Sequence, residues 1–457
     1  MRSTASPTRD RAITGSQLTA RSHLGMIEEP WVVIDIDIVD GLPDLPSVNE
    51  EGERIGGAFV LVRVFTEPVA GLLLAVTGAG LSRQELGCIV DAEVGHTIRE
   101  RLRSAGWQDF AAGLPLNGVT ALARPAWLLG RDAIEASSMS LTIALCTRDR
   151  PEDVRRCIAS LQEQTYPRLT VIVVDNAPSD DRVRRFVEEG HFKVPVRYVI
   201  EPTPGLSYAR NRAMQWCQTE LLAFIDDDEV ACQYWASEVV RGFVEDPTVD
   251  CVTGAVTPSE LRTSAQQLFE RFGGHSKGRG FQAVTFDGCQ MGKIAPLFPL
   301  PPFGAGANMS FRVQAIRDLG GFDTALGAGT ATLAGEDTAI LSNILLSGGR
   351  IAYRPAALVR HCHRTTYERL RRQLYGMGVG LTAFYAAEIA RHPMYAFRLF
   401  VLAPQALREV FGSHGDRAEG LGESFPADLL AANRKGMTRG PMAYWKTRIR
   451  RHRRRSM

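Results

Sequence analysis

Cysteine is scarce in this sequence. Eight occur in 457 residues, and Cys88, Cys146, Cys157, Cys217, Cys232, Cys251, Cys289 and Cys362 form no C-x-x-C pair. That argues against a disulfide scaffold and a paired-thiolate metal site. Most lie inside apolar runs, as small buried hydrophobes do, which fits a reducing compartment. Long hydrophobic runs are missing as well. No stretch reaches ~18 uninterrupted apolar residues, so no membrane-spanning helix is expected. The opening MRSTASPTRDRAITGSQ lacks the apolar centre of a secretion signal. Nor does one sign of charge dominate: 53 Lys and Arg against 51 Asp and Glu leave +2, too little for a global field that attracts nucleic acid. The expectation is a cytoplasmic protein with no nucleic-acid partner.

What is present is ordinary globular composition, 45% hydrophobic and 23% charged, over a length of roughly three domains at ~150 residues each. Residues 1–27 are polar and read as a disordered tail. Residues 28–137 read as a small α+β module. WVVIDIDIVD alternates like a half-buried strand, and GAFVLVRVF followed by GLLLAVT predicts a hairpin. After Ser82 as cap, Leu86, Ile89, Val90, Val94 and Ile98 share one helical stripe. Gly78-Ala79-Gly80 has no phosphate-loop context and reads as a turn. Asp91 and His96, five apart, do not share a helix face and read as surface groups.

From residue 138 to 365 strand and helix alternate: LTIALC, PEDVRRCIASLQEQ, LTVIVVD, DRVRRFVEEG, VPVRYVI, LSYARNRAMQWC, LLAFIDDD. Continuous Val/Ile/Leu strands between amphipathic helices predict an α/β fold, a doubly wound and mostly parallel sheet with helices on both faces. Ligands in such sheets sit beyond the carboxyl ends of the strands. There the polar residues collect: Thr147, Arg148 and Asp149; Asp175 and Asn176; Asp226, Asp227 and Asp228. Three adjacent carboxylates repel one another, and a hard divalent cation, Mg²⁺ or Mn²⁺, would remove that cost; a solvated acidic turn is the alternative. Glu336 and Asp337 open a further helix, where Asp337 is either a cap or a base for an attacking hydroxyl. Gly304-Ala305-Gly306-Ala307-Asn308 is either a site of close backbone approach to a ligand or a plain loop. Residues 366–430 read as C-terminal helices, and 431–457 as a basic tail after a glycine-containing linker.

The ordered series LTIALCTRDRPEDVRRCIASLQEQTYP, VIVVDNAPSDD, PGLSYARNRAM, LLAFIDDDE, GANMSFRVQAIRDLGGFD, GEDTAILSNILLSGG and VRHCHR resembles a bacterial family 2 glycosyltransferase of the inverting kind, over about half of the chain. The resemblance implies the GT-A fold and transfer of a sugar from a nucleotide-sugar donor to an acceptor hydroxyl by metal-assisted single displacement. It implies nucleotide-sugar contacts for Thr147, Asp149, Asp175, Asn176, Arg210, Asn211, Asp226, Asp227 and Glu336, with Asp175 on the base and Arg210 on the diphosphate. Asp337 falls at the catalytic base. The cation, Mg²⁺ or Mn²⁺, falls to Asp228, Asp226 and His361, with His363 an alternative to His361. The acidic middle residue Asp227 leaves open which carboxylate binds metal. The acceptor is a polysaccharide, a lipid-linked intermediate or a small molecule. Apolar and Arg-rich C-terminal helices and the basic tail raise the further expectation of a peripheral contact at the inner face of a membrane. Two other readings stand beside this one: a non-catalytic nucleotide-sugar scaffold or sensor, and a sugar-phosphate nucleotidyltransferase. The second lacks support in TRDRPED, which is not a triphosphate-binding loop.

Overall fold

A computed structural model describes residues 29–455 apart from 77, 111–112, 121–122, 292–294, 298–302 and 412–424. The tail expected over residues 1–27 lies outside the described residues. The first sheet has three strands, β1 (Trp31–Asp37), β2 (Gly57–Val64) and β3 (Glu67–Ala75), with β1 parallel to β2 and β2 antiparallel to β3. Helix α1 (Arg83–Ser104) follows, started by a capping box in which Ser82 and Glu85 bond reciprocally. Its Leu86, Val90, Val94 and Ile98 are buried against the sheet. β2 and β3 are apolar on both faces because the other face is covered too: Trp31, Phe59, Leu61 and Leu73 pack on Leu261 and Leu358 of the larger domain. Asp91 pairs with Arg99 and His96 with Glu100 on the surface.

After α2 (Ala126–Ile134) comes a nine-stranded sheet. Its strands are β4 (Leu141–Thr147), β5 (Leu169–Asn176), β6 (Val196–Glu201), β7 (Leu221–Asp226), β8 (Glu229–Ala231), β9 (Cys251–Pro258), β10 (Val284–Asp287), β11 (Asn308–Arg312) and β12 (Arg350–His361). They lie in the order β10-β12-β9-β11-β7-β4-β5-β6, with β8 on β12. The helices of this region are α3 (Pro151–Gln162), α4 (Arg182–Glu189), α5 (Leu206–Trp216), α6 (Trp235–Glu245), α7 (Ser264–Arg271), α8 (Gly288–Met291), α9 (Val313–Asp318) and α10 (Glu336–Leu346).

Alternation along the central strands sorts their side chains into two cores. Ile143, Leu145, Val171 and Val173 pack with Val154, Ile158 and Trp235 on one face; Ala144, Cys146, Ile172 and Val174 pack with Ala209, Ala213, Ile340 and Ile344 on the other. The run β6-β5-β4-β7 is parallel, whereas β11 enters antiparallel between β7 and β9. The chain moves outward from β4 through β5 to β6, then returns to β4's other side at β7. That reversal is the switch point of an open sheet, and the carboxyl ends of β4 and β7 flank it.

Helices α11 (Tyr367–Arg391), α12 (Tyr395–Phe411) and α13 (Ala427–Arg455) close the chain. The boundary expected at residue 431 falls inside α13, which runs through Gly436, Gly440 and Pro441. Tertiary packing overrides the helix-breaking composition here. A side chain on Gly378 would strike the Asn433 carbonyl and one on Gly436 the Tyr375 carbonyl, so α11 and α13 lie backbone to backbone. Asn433 Nδ2 donates to Leu374 O at 2.7 Å, and Thr382 Oγ1 to Met437 O at 2.8 Å. Among the described residues, no helix is long and apolar enough to cross a membrane.

Candidate active site

The carboxyl ends of β4, β5, β7 and β12 and the start of α10 bring the acidic residues together. Asp227 accepts from Thr147 Oγ1 at 2.7 Å and from Arg150 at 2.8 Å. Asp228 lies 3.2 Å from Arg150, 3.3 Å from Arg364 and 3.4 Å from His361 Nε2. Glu229 is fully buried; its Oε2 accepts the Asp226 amide at 3.0 Å, and its Oε1 has no partner. Burial raises the Asp227 carboxyl to about 7 against the pull of Arg150. Burial likewise raises Glu336 to about 7 against the pull of Arg210.

Arg210 does not take the place expected of it. Its side chain is 2% exposed, bonded to Glu336 at 2.9 Å, to Asp226 at 3.3 Å and to the Gly306 carbonyl at 3.2 Å. A guanidinium so placed holds two carboxylates and a loop in register. Asn176 and Asn211 are also occupied by the fold. Asn176 bonds Thr203 O and the Gly205 amide, each at 2.7 Å. Asn211 grips both backbone groups of Phe322. Asp149, at φ 56°, ties the β4 loop to Ser179. Their amides and carboxylate shape the pocket from behind.

Asp175 is fully buried at the end of β5 and accepts from Tyr198 OH at 3.1 Å. Its Oδ1 has no partner, and burial raises the carboxyl to about 6. An orphaned acceptor at a strand end is suited to an N–H of a ligand's base.

Asp337 sits in the first turn of α10, partly open. Its Oδ2 accepts the Gly306 amide at 3.0 Å and its Oδ1 the Thr338 amide at 2.7 Å. Gly335 precedes it at φ 98°, a left-handed conformation that glycine takes without strain. A side chain there would also meet the Gly380 carbonyl of α11 at 2.5 Å. Gly306 is the close approach that the glycine run raised as one alternative, but toward Asp337: a Cβ on it would lie 2.6 Å from Asp337 Oδ2.

Six carboxylates, Asp226, Asp227, Asp228, Glu229, Glu336 and Asp337, face three guanidinium groups, Arg150, Arg210 and Arg364. Burial and mutual repulsion raise the carboxyls of Asp226, Asp227, Glu229 and Glu336, a cost that a cation would relieve. Asp228 Oδ1 and His361 Nε2, 3.4 Å apart, offer one oxygen and one nitrogen donor, and among the described residues the group of three whose ligand atoms lie within 4.8 Å of one another is His275, His361 and His363. His361 is buried, and its pKa lies well below the usual histidine range because of burial and then of His363 and two arginines nearby. Arg150, Glu229, Arg364, Glu270 and His275 were not singled out from the sequence. Arg150 and Arg364 directly follow motif residues and had a readable signal; Glu270 and His275 are brought in only by the fold.

Residues 142–320 match the family model described as glycosyl transferase family 2. The pre-mycofactocin glycosyltransferase of Mycobacterium tuberculosis is 28% identical over 236 residues, 50% of this chain and 44% of that protein. The glucosyl-dolichyl phosphate glucuronosyltransferase of Haloferax volcanii is 27% identical over 231 residues, 49% of this chain and 69% of that one. The succinoglycan biosynthesis protein ExoM of Rhizobium meliloti is 27% identical over 227 residues, covering 49% and 66%. The chain thus spans under half the length of the mycobacterial relative. Among solved structures, a mannosyltransferase from Pyrobaculum calidifontis in complex with GDP-Man and Mn²⁺ aligns at TM-score 0.43 and 19% identity, over 65% of this chain and 75% of that one.

Proposed function

We infer, for a chain whose residues 142–320 form a glycosyl transferase family 2 domain, that it transfers a sugar from a nucleotide-sugar donor to an acceptor hydroxyl with inversion. The observation that carries this reading is Asp337, a partly open carboxylate fixed by two backbone amides beside a buried acidic cluster. Asp175 receives the base of the donor. Asp226, Asp228 and His361 would hold a divalent cation, which would supply charge neutralisation for a departing diphosphate. Arg150 and Arg364, each about one-third exposed (37% and 33%), stand beside Asp228 and are placed to meet the diphosphate. Asp337 accepts the acceptor's hydroxyl proton as its oxygen attacks the anomeric carbon. One displacement inverts that carbon, so no nucleophilic side chain is required. General-base assistance of this kind contributes ~10²–10⁴-fold.

The acceptor is proposed to lie at a membrane surface. α12 and the residue before it expose Met394, Phe397, Phe400 and Val401, and α13 exposes Met442, Trp445 and Ile449. The three on α13 recur at helical spacing among Lys446, Arg448, Arg450 and Arg451, the pattern of a helix lying on anionic lipid. A lipid-linked acceptor would be met there.

The test is release of nucleoside diphosphate from UDP-, dTDP- and GDP-sugars with Mg²⁺, Mn²⁺ or EDTA, using wild type, Asp228→Ala and Asp337→Asn. Turnover of one donor that needs metal and Asp228 supports the transferase. Transfer retained by Asp337→Asn removes Asp337 as the base. Metal-dependent thermal stabilisation by a donor, with no turnover in any acceptor mixture, favours a sensor.

A further inference from the structure

The end of β12 carries two buried histidines in line. His361 Nδ1 and His363 Nδ1 are 2.8 Å apart, and His363 Nε2 lies 2.7 Å from Glu270 Oε1 on α7. With both rings neutral, the hydrogens on them follow from one fixed point. A carboxylate only accepts, so the bond to Glu270 requires a hydrogen on His363 Nε2. His363 Nδ1 is then a lone pair. It can only accept, so the hydrogen between the rings belongs to His361 Nδ1. A neutral imidazole has one N–H, which leaves His361 Nε2 a lone pair directed at Asp228 Oδ1, 3.4 Å away. Two acceptors facing one another at that distance repel unless a cation joins them.

We propose that Glu270 and His363 form a positioning relay that locks His361 in the tautomer whose Nε2 ligates the donor-site cation. The proposal rests on the reading of Asp228 and His361 as cation ligands given above. It resolves the choice between the two histidines: His361 touches the ion, and His363 orients His361 without touching it. The rings are held from their faces as well. Phe269 stands edge-on to His363 at 4.8 Å between centroids, and His275 lies 4.3 Å from His361. Metal-bound histidines generally give their second nitrogen to such a partner, and losing that partner costs ~10–100-fold in metal affinity.

A competing arrangement uses the same rings. His275, His361 and His363 offer ligand atoms within 4.8 Å of one another, and His275 Nε2 has no hydrogen-bond partner. An ion held by all three would not need Asp228.

The experiment is Mn²⁺ binding by the full chain, without donor, read by electron paramagnetic resonance, together with ¹⁵N imidazole spectra of the metal-free protein. Glu270→Gln is isosteric and can donate to His363 Nε2, reversing the chain of hydrogens; His363→Phe removes the chain. The relay predicts that both weaken Mn²⁺ binding by ~10–100-fold, that His361→Ala and Asp228→Ala weaken it further, and that His361 carries its hydrogen on Nδ1. A hydrogen on His361 Nε2, or Mn²⁺ affinity unchanged in Glu270→Gln while lost in His361→Ala, overturns the relay. Mn²⁺ retained by Asp228→Ala and lost in His275→Ala overturns it in favour of the three-histidine site. Wild type that binds no Mn²⁺ and turns donor over in EDTA overturns the cation reading of the site itself.

Discussion

The amide of Gly306 donates to Asp337 Oδ2 at 3.0 Å, and no larger residue at 306 leaves that contact intact, since a Cβ would lie 2.5 Å from Asp337 Cβ. A loop between β10 and β11 thereby aims the carboxylate at the head of α10. Gly306→Ala is expected to lower kcat ~10–10²-fold, since small misplacements at a reacting group cost rate on that order, with donor KM nearly unchanged. Initial rates over a donor series decide it; an unaltered kcat means that Gly306 does not aim Asp337.

Asp175 carries a pH dependence whose sign can be worked out. Burial raises its carboxyl from 3.8 to about 6, so between those values the folded state holds a proton that the unfolded state has lost. Its contribution to stability therefore falls as pH rises through that window, and remains a constant penalty above pH ~6. Asp175→Asn is expected to raise the unfolding temperature at pH 7.5 by a few degrees and leave it unchanged near pH 3.5. Donor affinity, which needs the carboxylate, should fall at least ~10-fold in the same variant, the size of one lost charge-assisted hydrogen bond. Calorimetry at both pH values checks the first claim and titration with donor the second.

Arg210 and Arg150 should fail in different ways. Arg210→Met leaves Glu336 and Asp226 without their partner inside the protein, a change that typically costs ~3–5 kcal/mol, so the variant loses stability before donor binding is considered. Arg150 is part exposed at the pocket. Arg150→Ala should keep the unfolding temperature within ~2 °C while raising donor KM about 10-fold, since charge-assisted bonds are worth ~1.5–3 kcal/mol. Equal thermal losses in the two variants contradict this division.

Phe397→Glu combined with Phe400→Glu alters two exposed side chains, 73% and 76% open, far from any partner that stabilises the fold. Binding to vesicles of anionic phospholipid should be lost, while hydrolysis of soluble donor is unchanged. Co-sedimentation that persists in the double variant removes α12 from the membrane surface.

Strand-and-helix alternation was readable because the strands of the central sheet are buried on both faces and their apolar runs are uninterrupted. Asp175, Asp228, Asp337 and His361 can be singled out in the sequence because each stands at a strand end or helix start, where polarity changes abruptly. Local spacing puts Arg210 on its helix, but not its bond to Glu336, 126 residues later, which only the fold brings together. The relay from Glu270 through His363 was beyond reach of pattern, since its members are 93 residues apart and meet only through α7 and β12. α13 is hard to read because glycine and proline lower helix propensity locally, while the missing side chains of Gly436 and Gly440 are what let α11 come close.

The pairing of β12 gives the first hundred residues a hold on the chemistry. Arg360 binds Asp35 of β1, while the next residue, His361, faces Asp228. Neighbours on a strand point to opposite sides, so a single peptide unit is shared between the rear wall and the front. Leu358, two residues earlier, is sealed under Trp31 and Phe59. The N-terminal module is therefore a buttress: cutting it away would uncover Leu358, free Arg360 and slacken the strand that carries His361 against Asp228.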